Sequence, residues 1–105
     1  MTAEPAPLFA ALGDETRLRI VSRLIAGGPQ SITQLTAGEP VTRQAITKHL
    51  QVLEDAGLVS DSRRGRERIW QLEPQQLAAA RRYLDTISQQ WDQSLERLRR
   101  HVEET

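Results

Sequence analysis

The residues best equipped for chemistry are Thr42, Arg43, Gln44, Thr47 and Lys48, five polar or cationic side chains within one short stretch. Arginine and lysine donate to guanine O6 and N7, glutamine pairs bidentately with adenine, and threonine serves base edges or phosphate. Such a set suits a DNA major groove if one surface presents all five. The same composition also suits an ordinary solvated helix face, so the surrounding chain has to decide between the two.

The spacing around these residues predicts one amphipathic helix. Ala45, Ile46, His49, Leu50, Leu53 and Ala56 recur at three- and four-residue steps, which puts them on one stripe facing a core and leaves the polar set, with Gln51, outside. Gly57 follows, as expected where a helix ends in the left-handed conformation, and Leu58 and Val59 begin an extended segment.

The other elements follow in order. Residues 1–7, with Pro5 and Pro7, read as a flexible extended arm, and 8–105 as a single domain. Leu8, Phe9 and Leu12 form a short apolar helix up to Gly13. Asp14 caps the next helix, whose expected buried stripe is Leu18, Val21, Leu24 and Ile25. Ser31 and Gln34 have capping-box spacing and open a short helix that buries Ile32 and Leu35. Gly38 and Pro40 then force a turn before Thr42, which makes a helix-turn-helix pair.

After Gly57 the period changes to that of strands. Residues 59–63 and 68–72 form a predicted two-stranded hairpin through Arg64, Gly65 and Arg66. Four arginines fall between positions 63 and 68, so a hairpin beside the polar helix can bring Arg64, Arg66 and Arg68 to phosphates or a minor groove. From about Gln75 to about Glu103 a last helix, about 40 Å long at 1.5 Å per residue, carries Leu77, Leu84, Ile87, Trp91, Leu95, Leu98 and Val102 on one stripe. No remaining segment can cover that stripe, so its simplest partner is a second copy of the chain.

Composition narrows the function. With 105 residues, 38% hydrophobic and 4% aromatic, the chain has room for one aliphatic core, and a second subunit would add to it. Formal charge is zero, yet residues 42–70 carry an excess of two positive charges while the segments on either side are each negative by one. The absence of cysteine removes disulfides, thiolate catalysis and cysteine metal sites. His49 and His101 lie on separate predicted helices, with no glycine-rich phosphate loop or clustered carboxylates, so no catalytic residues are expected and an enzyme is disfavoured. No apolar run reaches membrane-span length and the N-terminus lacks signal-peptide features, which points to a cytoplasmic protein without a membrane partner.

Assembled in this order, the sequence resembles the ArsR/SmtB family of winged-helix repressors over about residues 8–105. ALGDETRLRIVSRL is similar to the family's opening segment, TRQAITKHLQVLEDAGLV to its recognition helix and following turn, and RRGRERIWQL to its wing. The resemblance implies a mainly α fold with a small β-hairpin, dimerised by its terminal helices, and a repressor that binds an inverted-repeat operator in double-stranded DNA. It implies DNA-facing roles for Thr42, Arg43, Gln44, Thr47 and Lys48 and wing contacts for Arg64, Arg66 and Arg68. His49 matches the family's histidine before the leucine, in a packed or phosphate-facing role. The dimer seam would use Leu8, Phe9, Leu12, Leu84, Ile87, Trp91, Leu95, Leu98 and Val102.

The metal sites of the family are not reproduced. SITQLT stands where many members carry paired cysteines, and His101 and Glu104 supply only half of a zinc motif whose other half falls on Ser88 and Gln90. No metal and no cofactor is therefore expected, and an unknown small-molecule effector stays open. The rival reading is a winged-helix interaction module that dimerises without binding DNA. In that case the arginine hairpin would be dispensable.

Overall fold

The computed structural model describes residues 5–104. Five helices and a small antiparallel sheet follow in the order α1 (Pro5–Leu12), α2 (Glu15–Gly27), β1 (Gln30–Ser31), α3 (Ile32–Thr36), α4 (Arg43–Asp55), β2 (Val59–Arg64), β3 (Glu67–Leu72) and α5 (Pro74–Glu103). The first four residues of the expected arm lie outside the described part. Residues 5–7, expected to be extended, are instead the first turn of α1, where a proline's missing N–H costs nothing.

Local signals fix most helix ends. Asp14 accepts from the Arg17 backbone N–H at 3.0 Å, Ser31 and Gln34 complete the capping box, and Thr42 accepts from Ala45 N–H at 3.1 Å. At the end of α4, Gly57 adopts φ +78°, with its N–H on the Glu54 carbonyl and the Leu58 N–H on that of Leu53. This pair of bonds satisfies the last carbonyls of α4 and turns the chain directly into β2.

The hairpin closes through Gly65 and Arg66, with Arg64 facing Glu67. Gly65 has φ +62°, the sign that a two-residue turn with glycine first requires. The sheet is larger than the expected two-stranded wing. Gln30 and Ser31 pair with Trp70 and Ile69, so the strand order is β1-β3-β2. Two residues are too few for a periodic signal, and their pairing is tertiary in origin.

One core joins these elements. Ile20, Leu35, Ile46, Leu50, Leu53 and Leu58 are fully buried, with Leu8, Ala11, Val21, Leu24, Val59 and Trp70 nearly so. Leu18 and Ile25, expected on the buried stripe of α2, are exposed instead. The stripe runs through Ile20, Val21 and Leu24, and Leu18 and Ile25 fall together on its flank. On α5 only the first turns reach the core, through Leu77 and Ala80, and Tyr83 packs at a tilt against Phe9 with ring centroids 5.7 Å apart. The rest of the helix projects from the body, so the molecule measures 68 × 32 × 21 Å.

The turn between α3 and α4 is held by charge. Glu39, whose side chain is 5% exposed, receives Arg19 Nε at 3.1 Å and lies 3.5 Å from an Arg23 nitrogen. Arg23 also donates to the carbonyls of Leu35 at 2.7 Å and Gln34 at 3.0 Å, which would otherwise be open at the end of α3. Removing Glu39 would take the shared carboxylate from two guanidinium groups, each about one third exposed, leaving Arg19 with Glu15 and Thr16 and Arg23 with its two carbonyls. Glu39→Ala is expected to cost about 1–3 kcal/mol, read as a lower urea midpoint at unchanged slope. A midpoint equal to the parent's would show that the turn holds without this clamp.

Candidate nucleic-acid interface

The core sets the outward face of α4. With Ile46, Leu50 and Leu53 buried, residues on the opposite side of a 3.6-residue helix must be outside, and Thr42, Arg43, Gln44, Thr47 and Lys48 are all exposed. Thr42 uses its oxygen as the helix cap and keeps its hydroxyl proton for an external acceptor. Thr47 donates its hydroxyl to the Arg43 carbonyl at 3.0 Å, so it presents a methyl group and oxygen lone pairs. Among the described residues, Arg43, Gln44 and Lys48 make no side-chain hydrogen bond within the chain.

Beside this face is an open cleft of about 400 Å³ between the starts of α3 and α4 and the hairpin. Arg43 and Thr47 line one wall, Arg66, Glu67, Arg68 and Trp70 the other, and Ser31, Ile32 and Thr33 the floor. Three arginines against one glutamate make the cleft cationic, as a phosphate backbone requires.

The hairpin arginines divide by role. Strand pairing puts Asp61, Arg63, Arg68 and Trp70 on one face and Ser62, Arg64, Glu67 and Ile69 on the other. Arg63 and Arg68 face each other as like charges, and Asp61 one step along the same face relieves the clash. Arg68 Nε lies 2.5 Å from the Asp61 carboxylate, and its guanidinium stacks 4.8 Å from the centroid of the Trp70 ring. Its guanidinium is thus tied down within the wing, whereas Arg63, Arg64 and Arg66 are exposed and take no ion-pair partner among the described residues. The Arg68 hydrogen bond holds the Asp61 carboxyl below its ordinary value.

His49 is turned inward. Its Nδ1 lies 3.1 Å from an Arg17 nitrogen and 3.9 Å from the Asp14 carboxylate, so it packs between α2 and α4. The seam residues separate in the same way. Leu8 belongs to the chain's own core, which corrects its expected place on a dimer surface, because α1 packs down onto α2, α4 and α5. Phe9, Leu12 and Ile87 are half-buried, and Leu84, Trp91, Leu95, Leu98 and Val102 are each more than half exposed. Sequence reading missed the Glu39 clamp and the Asp61–Arg68–Trp70 stack. Only strand alternation, which puts Asp61 diagonal to Arg68, offered a signal for the stack.

A helix-turn-helix domain family matches residues 12–61, which run from the end of α1 into β2. The HTH-type transcriptional regulator Rv2034 of Mycobacterium tuberculosis is 43% identical over 91 residues, covering 87% of this chain and 81% of that protein. The arsenical resistance operon repressor of Escherichia coli is 33% identical, over 77% of this chain and 69% of its own. An ArsR-like transcriptional regulator from Rhodococcus sp. RHA1 superposes with a TM-score of 0.78 at 40% identity, covering 93% of this chain and 92% of that one. The chain belongs to the ArsR family of winged helix-turn-helix transcriptional regulators.

In this ArsR-family chain, α3 and α4 are the helix-turn-helix pair and β2–β3 the wing. Among the described residues no three histidine, aspartate or glutamate side chains converge as a metal site would need, and no helix is long and apolar enough to cross a membrane.

A lowered carboxyl in the folded wing means that Asp61 stabilises the fold above its ordinary value of 3.8, and that this contribution is lost as pH falls through the folded-state value. Asp61→Asn should therefore lower the melting temperature at neutral pH and flatten its decline below about pH 4. Identical melting curves for parent and variant across that range would contradict the tie.

Proposed function

We propose that this ArsR-family regulator is a homodimeric repressor that reads an inverted-repeat operator, one α4 per half-site, with half-sites about one helical turn apart. The observation that carries the reading is the fully outward polar face from Thr42 to Lys48, flanked by a cleft of three arginines. Gln44 and Arg43 address base edges, and the Thr47 methyl suits a thymine. Lys48, Arg64 and Arg66 take phosphates, while Arg68 stiffens the wing and lends its exposed side to the same backbone. The α5 stripe supports the dimer. Leu84, Trp91, Leu95 and Leu98 form a long apolar face in water, with Phe9, Leu12 and Ile87 beside it and Val102 extending it.

Selection of bound duplexes from random-sequence DNA by the purified protein tests the whole reading, since an inverted repeat must emerge. On that duplex Gln44→Ala should relax selectivity at one position by about 1–3 kcal/mol, whereas Arg66→Ala should weaken all sequences alike and reduce the salt slope by about one. Uniform loss in the Gln44 variant would remove it from base readout. Trp91→Glu should raise the dimer dissociation constant about 30-fold, or ~2 kcal/mol, in sedimentation equilibrium. A monomeric parent at micromolar concentration would refute the dimer.

A further inference from the structure

The inward histidine of the recognition helix sits between two groups that want it in opposite charge states. An arginine nitrogen only donates, so the 3.1 Å contact from Arg17 requires Nδ1 of His49 to be an acceptor and the ring to be neutral with its proton on Nε2. A proton on Nδ1 would face that guanidinium as a like charge and would turn to the Asp14 carboxylate, now 3.9 Å away. Arg17 has a second tie, from Nε to the Ala11 carbonyl at 2.5 Å, so the same guanidinium bridges α1 and α4. His49 is 22% exposed, which lets water and protons reach it.

The charged groups facing the ring are Asp14 and Arg17 of α2, and α1 adds only the Ala11 carbonyl through Arg17. One turn away on α4, Ala45, Ile46, Val52 and Leu53 carry no charge. Asp55 lines the groove that Arg17 enters. The Asp14 carboxyl is held below its ordinary value, first by the Arg17 backbone N–H and also by the Arg17 charge, so it is an anion near neutral pH.

We propose that His49 is a proton-responsive latch, a positioning residue whose protonation exchanges Arg17 for Asp14 and shifts α4 against the α1–α2 corner, lowering sequence-specific DNA affinity. The proposal rests on the DNA-binding reading above. Its direction distinguishes it from general electrostatics, because added positive charge alone strengthens binding to every duplex.

The test uses a duplex selected from random-sequence DNA and a scrambled duplex of equal length. In the parent, the ratio of specific to scrambled affinity should fall at least about fivefold between about pH 8 and pH 6. His49→Asn puts an amide oxygen in the place of Nδ1 and cannot take the proton, so its ratio should change less than about twofold. Asp14→Asn keeps a competent helix cap but removes the anion, and should shrink the response. Long-range 1H–15N spectra of the His101→Gln variant, which leaves one imidazole, should show Nδ1 of His49 unprotonated at pH 8. A proton on Nδ1 at that pH, or equal pH profiles for parent and His49→Asn, overturns the latch. Recovery of no preferred duplex at either pH overturns the DNA-binding reading itself.

Discussion

The structure depends on burying one side of α4. Ile46, Leu50 and Leu53 have no solvent exposure and lie in one cluster with buried residues of α1, α2, α3, β2 and β3, against which the first turns of α5 pack through Leu77 and Ala80. A rigid helix cannot hide three such side chains without fixing its rotation about its own axis. That rotation decides what faces outward. The polar side of α4 is therefore a by-product of hydrophobic packing, and no contact on that side is needed to aim it.

Packing fixes rotation, while the tilt of the helix and the place of its neighbours are set by polar ties. Glu39 holds the turn before α4 to α2 through two arginines, and His49 joins the side of α4 to α2 through Arg17. Across the cleft, Arg68 bridges Asp61 and Trp70 and so couples the solvent side of the wing to the core that α4 also enters. Buried or half-buried charge pairs contribute little net stability, because desolvation offsets attraction. Their effect is geometric: each is satisfied in one arrangement of two elements and stranded in most others.

Much of this could be read from the residues. The stripe of α4 and its polar face, the caps at Asp14 and Ser31, the stop at Gly57 and the hairpin about Gly65 all rest on local spacing or on single-residue backbone preferences. What escaped was tertiary. β1 is two residues long and exists because β3 lies alongside. Leu18 and Ile25 have the right spacing for burial, but Ile20 shifts the stripe of α2 by a fraction of a turn and leaves them outside. Leu8 was legible as apolar yet not as core, since that depends on how α1 folds back. Arg68 differs from Arg64 and Arg66 only through Asp61 and Trp70, which strand register brings to it.

The outward residues of α4 have a further consequence. Gln44, Lys48 and Arg43 neither fill the core nor bond within the chain among the described residues, so exchanging them leaves folding nearly untouched. Thr42 is different, because it also caps the helix. On the DNA-binding reading proposed above, a copy of this protein arising by gene duplication would acquire a new address in the genome through Arg43 and Gln44, the two of these that address base edges, while changes at Lys48 would only tune affinity. The scaffold would tolerate drift there while holding Thr42 and the buried stripe constant.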